Sequence, residues 1–522
     1  MISKKKNILF YFISLFFFSI LFNQYYGYIG INPIDSFVSF NSGYDVLNGY
    51  YPFKDYWTIT GPFIIFIQTI FFKLFGVNWF SYVLHASIFN FVFSICTFFT
   101  LYKFKLNIHY CFLYSFLVSF LAYPSAGTPY VDHQAAFTSI ISIFCFILAL
   151  KTDLKIYWFF LPIILFISFL TKQAPTGHIF LIICVLSLIH FIFNFDIRKI
   201  IYGICGSLSI ILIFLIILLI AQIPFTSFFE QYILFPLSLG ESRLQFIFPL
   251  EFQRTILRFK LIHLSSLLLI IISIKKIIEN YRYLIDSDFL IKLSLTTSSY
   301  ALIMHQLMTI NGLFIFFLIP ILAGFSHIYY MKYFKSKNYI LYLLLLLSIS
   351  STIYYGYKYI HQRDFMDLRN VNKENAIDAG VIDKKLAGLK WITPFYKDDP
   401  EKEILLLKEA ISKIDNNSDK KVIITDYQFI SVILSSYDYS PSQVWYSYHV
   451  NPIKGSKYFE GYKKLFIEKL KKNNIDIIYV VKPLWGAHNI IKDTLNKNCF
   501  IENNETEILD SFLLIPCDDI KN

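Results

Sequence analysis

Side chains able to do acid, base or anion-binding chemistry are sparse in this sequence and gather at a few places. Asp35, Asp45 and Asp55 lie within residues 27–61, GYIGINPIDSFVSFNSGYDVLNGYYPFKDYWTITG, among a dense set of Tyr and Trp. Asp132-His133 and Lys172 each stand at the edge of a long apolar run, and Arg243, Arg254 and Arg258 fall within residues 223–258. A carboxylate within hydrogen-bond reach of a hydroxyl takes its proton as that hydroxyl attacks, and partial burial raises its pKa toward the useful range. Fixed cations in a poorly solvated site hold a leaving group as negative charge grows on it. Asp35 is thus a candidate base and Lys172 a candidate cation, with the three arginines behind it. Plainer roles compete. Capping a helix would equally account for Asp35 and for Asp132-His133, a solvated turn for Asp55, and snorkelling toward headgroups for Lys172. For Asp55, loop support and metal ligation both stay open, Asp45 reads as structural, and His305-Gln306 reads as a pair that satisfies itself or a loop.

Hydrophobic helices must position these residues. The chain has 522 residues, of which 56% are hydrophobic and 16% charged, more apolar surface than a globular protein of this length can bury. A spanning helix needs roughly 20 mainly apolar residues, because every backbone N–H must be satisfied within the segment. Residues 8–26, 79–101, 109–131, 133–150, 156–171, 174–195, 200–222, 259–274, 288–308, 310–331 and 338–355 read as such segments, about eleven in all. Lys and Arg stay on the cytoplasmic side during insertion. They occur at Lys4 to Lys6, Lys103, Lys105, Lys151, Lys155, Arg198, Lys199, Lys275, Lys276, Arg282, Lys332, Lys335 and Lys337, in alternate connections. The N-terminus is therefore expected in the cytoplasm, and residues 27–61, 124–132, 172–173, 223–258 and 306–310 on the outer side of an inner or plasma membrane. Residues 62–75, apolar but short, read as an interfacial helix. The first span, with no cleavage site after it, reads as an anchor.

From residue 361 the composition turns charged and Asn-rich, so the expected division is a membrane domain over 1–360 and an extramembrane domain over 361–522, on the outer side. Lys421 to Asp426 and Ile475 to Val481 have the β-branched character of buried strands. Residues 400–414 and 457–472 have helical spacing. The expected fold is thus a polytopic α-helical membrane protein with a small C-terminal α/β domain. Five of the seven cysteines lie in apolar runs, while Cys499 and Cys517 sit in the domain expected outside, where a disulfide between them is plausible. The net charge of +11 is explained largely by the cytoplasmic connections and calls for no nucleic-acid partner. There is no P-loop, GxGxxG or HExxH, which leaves nucleotide-driven and zinc-protease chemistry without support.

Over about the first 330 residues the sequence resembles the GT-C superfamily of polyprenyl-phosphate-sugar-dependent glycosyltransferases, in particular the Rgt-type branch and its relatives, the protein O-mannosyltransferases and lipid A aminoarabinose transferases. Four places carry the resemblance. Asp35, Gly49, Pro52-Phe53-Lys54-Asp55 and Gly61-Pro62 look like the first outer loop of that family. Asp132-His133 is similar to its acid at the outer start of the fourth span, and Lys172 to a lysine at the outer end of the fifth. His305 to Pro320, HQLMTINGLFIFFLIP, looks like the late polar-then-apolar segment of the Rgt-type branch. Ser36 follows Asp35 where the family often has a second acid, so there is no pair of adjacent carboxylates.

The resemblance implies an inverting glycosyltransferase that takes a polyprenyl-phosphate-linked sugar and a cell-envelope acceptor at the outer membrane surface. Asp35 would be the base and Lys172 the phosphate ligand, with Asp55, Asp132 and His133 completing the pocket and Arg243, Arg254 and Arg258 as further donor contacts. No cofactor is implied with certainty, and a divalent metal stays open. The rival readings are a transporter or flippase of lipid-linked sugars, which needs polar groups near the bilayer midplane, a polysaccharide polymerase or ligase, and a non-catalytic scaffold.

Overall fold

The structure, a computed structural model, describes residues 2–309, 314–334, 339–416, 420–446, 450–484 and 489–517, except the side chains of residues 2–7 and 241. Lys335, Lys337, the side chains of Lys4 to Lys6 and residues 310–313 of the expected late span lie outside these residues. By compactness the chain divides into two units. The first comprises residues 1–26, 86–216 and 241–365, the second residues 27–85, 217–240 and 366–522.

In the first unit, hydrocarbon solvent dictates helices, and each expected apolar segment contains one. Among the described residues of the whole chain, eight helices are long and apolar enough to cross a membrane: Ile8–Gly27, Trp79–Lys103, Val131–Thr152, Gln173–Phe193, Ile197–Ile220, Lys260–Glu279, Ile315–Tyr333 and Tyr339–Met366. Lys155–Thr171 and Ile108–Leu121 are shorter, and Ser287–Thr309 is long but rich in Ser and Thr. The expected span over 109–131 stops at Leu121, because the following AYPSAGTPY carries two prolines and Gly127 at φ +77°. Arg363 ties this turn down from the chain's last apolar helix, donating from Nη1 to Pro124 O (3.1 Å) and from Nη2 to Tyr26 O (3.2 Å).

Burial sorts the helices. Val131–Thr152 and Ile315–Tyr333 are 83% buried within the protein over their apolar windows, whereas Ile8–Gly27 and Ile197–Ile220 are 17% buried and present their side chains outward. The outer helices can therefore be mainly Ile, Leu and Phe, while the inner ones carry polar groups that bond to each other. Ser168 Oγ lies 2.9 Å from Ser139 Oγ and 2.8 Å from Thr176 Oγ1, and accepts from Thr138 Oγ1 at 3.0 Å, which joins three helices. Lys292, the charge that weakens the 288–308 segment as a span, is buried beneath aromatic rings. Its Nζ is 4.3 Å from the Tyr329 ring centroid and 4.9 Å from that of Tyr283, and it donates to Asp288 O at 2.8 Å.

In the second unit, a four-stranded sheet has the order β3-β4-β6-β5, with β3 (Lys421–Thr425) parallel to β4 (Ile477–Val481), and β6 (Leu509–Leu514) antiparallel to both β4 and β5 (Phe500–Asn504). A short antiparallel pair, β1 (Ile377–Asp378) and β2 (Lys390–Trp391), precedes it. The expected strands are β3 and β4, and the expected helices are Pro400–Asp415 and Phe459–Lys472. The β5–β6 hairpin has no counterpart among the expected elements, because four of the five β5 residues face solvent and leave no apolar run to read. Cys499 and Cys517 flank this hairpin and form a disulfide.

Residues 361–522 do not pack alone. Phe37, Phe40, Trp79 and Tyr82 share one apolar core with Trp391, Leu407, Ile423, Tyr427 and Phe429. The backbone joins in, with Gly30 N donating to Lys390 O (3.0 Å) and Trp57 N to Pro441 O (2.8 Å). Beside this core Glu403 is fully buried. Its carboxylate accepts from Trp391 Nε1 (2.9 Å), Thr393 Oγ1 (2.9 Å) and Tyr427 Oη (2.7 Å). Burial still outweighs these donors and pushes its pKa up to about 7.

A group raised in this way keeps its proton in the folded state after the unfolded chain has lost it. Stability should therefore be highest below about pH 4.5 as far as Glu403 is concerned, fall by about 3 kcal/mol as pH rises to about 7, and level off beyond. Denaturant unfolding of detergent-solubilised protein across that range should show the decline in the wild type and a flatter profile in Glu403→Gln; an unchanged slope in the variant would assign the pH dependence to other groups.

Candidate functional site

Three helix ends of the first unit bring a carboxylate, an ammonium and an imidazole together. Asp132 is the second residue of the helix Val131–Thr152, with Tyr130 at the cap position, so it is not the cap. Lys172 is the extended residue between Lys155–Thr171 and Gln173–Phe193. His305 lies one turn before the end of Ser287–Thr309. Lys172 Nζ approaches Asp132 Oδ1 at 2.5 Å, and His305 Nε2 approaches the same oxygen at 2.8 Å. Asp132 and His305 are buried, while the Lys172 side chain keeps 20% of its surface exposed. A carboxylate this deep is tolerated because two donors converge on it. The Ser139–Ser168–Thr176 network joins the helix that carries Asp132 to the two helices that flank Lys172, so the register that satisfies those hydroxyls also sets Asp132 opposite Lys172.

Two of the arginines border this cluster. Arg243 is near enough to His305 to act on it electrostatically. Arg254 donates from Nη2 to Leu307 O at 3.2 Å, beside the end of the helix that carries His305. Arg258 is exposed. His133 is held separately in an aromatic slot. Its ring stacks 5.2 Å from Tyr123 and 4.2 Å from Phe314, and its Nε2 is 2.8 Å from Ser125 Oγ. Several buried polar atoms around this end of the unit have no hydrogen-bond partner among the described residues: His133 Nδ1, His178 Nδ1, His305 Nδ1 and Gln306 Nε2. Gln306 does not pair with His305; its Oε1 accepts from Phe314 N at 3.0 Å. Native proteins rarely leave so many such atoms unpaired in one place, and a polar ligand would satisfy them.

Asp35 and Asp55 belong to the second unit. Asp35 is the third residue of the four-residue helix Pro33–Ser36, half-buried, and the cap position is taken by Asn32. Asp55 supports its own turn, with Oδ2 accepting from Tyr51 N at 2.7 Å. Its carbonyl accepts from Lys469 Nζ at 2.5 Å, and Lys469 also donates to Ser440 O at 2.7 Å. Asp45 is buried close to Asp438 and Lys469. Its carboxyl is held well above the usual carboxylate range by burial and by the Asp438 charge, while burial pushes Lys469 down to about 8. Among the described residues, no three His, Cys, Asp or Glu side chains are grouped so as to hold a metal ion.

Sequence reasoning places Asp132 and Lys172 among the site residues and weighs His305 only as half of a pair with Gln306 that satisfies itself or a loop. The signal that could have separated it is that, like Asp132 and Lys172, it stands near the end of its helix.

No protein-family model matches the chain, and no curated protein matches it. Solved structures that resemble it include two crystal structures of the Archaeoglobus fulgidus oligosaccharyltransferase, one in complex with Zn and sulfate and one in the apo form. The identities are 13% and 12% and the TM-scores 0.43 and 0.44; each comparison covers 90% of this chain, and 68% and 69% of the other. A likeness at this level carries no activity, substrate or metal over to this chain.

If Asp132 depends on Lys172 for its charge balance, Lys172→Met should cost about 3 kcal/mol of stability, because it strands a buried carboxylate. Adding Asp132→Asn should restore much of that loss. Chemical unfolding of the two single variants and the double variant checks the coupling, and strictly additive losses would show that the pair is not linked.

Proposed function

We propose that this protein is a membrane glycosyltransferase that moves a sugar from a polyprenyl-phosphate donor to a cell-envelope acceptor, with inversion at the sugar carbon. The reading is carried by the Asp132–Lys172–His305 cluster, an ionic site at the ends of hydrophobic helices. A lipid-linked sugar keeps its chain in hydrocarbon and its phosphate at the boundary with water, so an enzyme that uses it needs fixed charge at that depth. In the transfer, the acceptor hydroxyl oxygen bonds to the sugar carbon as the bond from that carbon to the phosphate oxygen breaks. The phosphate leaves with the electron pair, and the hydroxyl proton passes to a carboxylate. Lys172, exposed on one side and oriented by Asp132 on the other, binds the leaving phosphate, with Arg243 and Arg254 adding positive charge. Arg258 is a weaker candidate for the same task.

Asp35 is the base in this reading, a role that rests on its sequence pattern. Asp55 serves by holding its loop, and His133 by lining the pocket. The acceptor is a lipid, glycan or protein of the envelope, met on the outer face, with the N-terminus in the cytoplasm and the C-terminal residues outside. The transporter reading has less support, because the buried Lys292 is engaged by its own helix and by tyrosines rather than lining a path.

Proteoliposomes supplied with radiolabelled undecaprenyl-phosphate hexoses should transfer label to envelope extract. Asp35→Asn should abolish this while leaving membrane insertion and thermal stability as in the wild type, and retained turnover would remove Asp35 as the base. Lys172→Gln should lower turnover roughly 100-fold or more. Accumulation of lipid-linked label across the bilayer without transfer would favour the flippase reading instead.

A further inference from the structure

The clasp on Asp132 fixes which nitrogen of His305 is available. A carboxylate that already accepts from an ammonium is ionised and can only accept, so His305 Nε2, 2.8 Å from Asp132 Oδ1, carries a proton. Asp132 and Lys172 balance each other's charge and Arg243 adds positive potential, so a charged imidazole would be uncompensated in a buried place; it is neutral, and Nδ1 carries the lone pair. That atom is buried and has no hydrogen-bond partner among the described residues. A buried acceptor without its hydrogen bond is unfavourable, and a ligand that donates to it recovers this. His178, near enough to act on His305 electrostatically, likewise has a buried Nδ1 without a partner among the described residues.

We infer that His305 is a sugar-binding residue: Asp132 holds its Nε2–H, and its Nδ1 accepts a hydrogen bond from a hydroxyl of the sugar that is transferred. The inference rests on the proposed lipid-phosphate-sugar reading and adds a division of labour to it. A phosphate oxygen offers lone pairs and is repelled by Nδ1, so it goes to Lys172 and the arginines. A hydroxyl offers a proton and goes to His305. The two groups that converge on Asp132 Oδ1 thus read the two ends of the glycosyl phosphate bond.

The two amide substitutions separate the arms of the imidazole. Glutamine reproduces the reach of Nε2 and keeps the donor to Asp132 but has no acceptor at Nδ1. Asparagine places its amide near Nδ1 and falls short of Asp132. Binding is measured in detergent with two probes, undecaprenyl phosphate and undecaprenyl phosphate carrying one β-linked hexose. The wild type should bind the hexose-bearing lipid about three- to tenfold more tightly than the bare one. His305→Gln should unfold at the wild-type temperature and lose this preference, with its affinity for bare undecaprenyl phosphate unchanged. His305→Asn should keep the preference and unfold at a lower temperature. A preference retained in His305→Gln, or lost equally in both variants, would overturn the role of Nδ1. So would a His305→Gln protein that unfolds early, since the Nε2 arm would then not be what the structure needs. A wild type that binds both probes equally also refutes it, while leaving the lipid-phosphate reading standing. A wild type that binds neither probe ends that reading and this one together.

Discussion

One oxygen of one carboxylate organises the first unit. Asp132 Oδ1 receives both Lys172 and His305. Isolated in a medium of low dielectric constant, an ionised carboxylate is so unfavourable that it would take up a proton instead. Holding it charged requires two other helices to end at the same level and present their donors to it. The polar residues along those helices then follow. Ser139, Ser168 and Thr176 bond to one another, so the helix that carries Asp132 cannot slide against the two that flank Lys172 without breaking two sets of bonds. The outward-facing helices carry fewer such links and are richer in Ile, Leu and Phe.

The second unit solves a different problem, which is to build a core from pieces distant in the chain. Trp391, Phe37 and Phe429 pack ring against ring, with centroids 4.8 Å apart for Phe37 and Phe429 and 5.6 Å for Trp391 and Phe429. Asn41 donates to Gln443, whose amide in turn donates to Asp438 at 2.6 Å. These polar links fix the register in which the early loop lies against the later residues. Where Asp45 is buried in the same region, the surroundings favour its neutral form.

Much of this architecture is legible in the order of the amino acids. Apolar length is a strong signal because backbone hydrogen bonding in hydrocarbon leaves no choice but helix, and each of the eleven apolar segments contains one. Strands β3 and β4 are visible as β-branched runs because they are buried in the sheet. What stays hidden has physical reasons. Pro124 and Pro129 end a helix that hydropathy alone would extend. The edge strand β5 has no apolar pattern. The partnership of residues 27–85 with residues 366–522 is non-local, and nothing in either segment's periodicity announces the other. In the candidate site, Asp132 and Lys172 stand out because charge at the edge of an apolar run is conspicuous. His305 does not, since its meaning comes from the neighbours that packing gives it.

The discontinuity of the second unit bears on how the protein is made. Phe37 and Phe40 are synthesised some 350 residues before Trp391 and Phe429, their partners in the core. At about 5–20 residues per second, that leaves about 20–70 seconds in which these rings are on hand without the surface that will cover them. Throughout that interval the nascent polypeptide needs a temporary shelter for them, in lipid, in a translocation channel or against a chaperone. Folding of this unit thus waits for Trp391 and Phe429, and a ribosome that stalls before them would release a chain with its membrane helices in place and its aromatic core unmade.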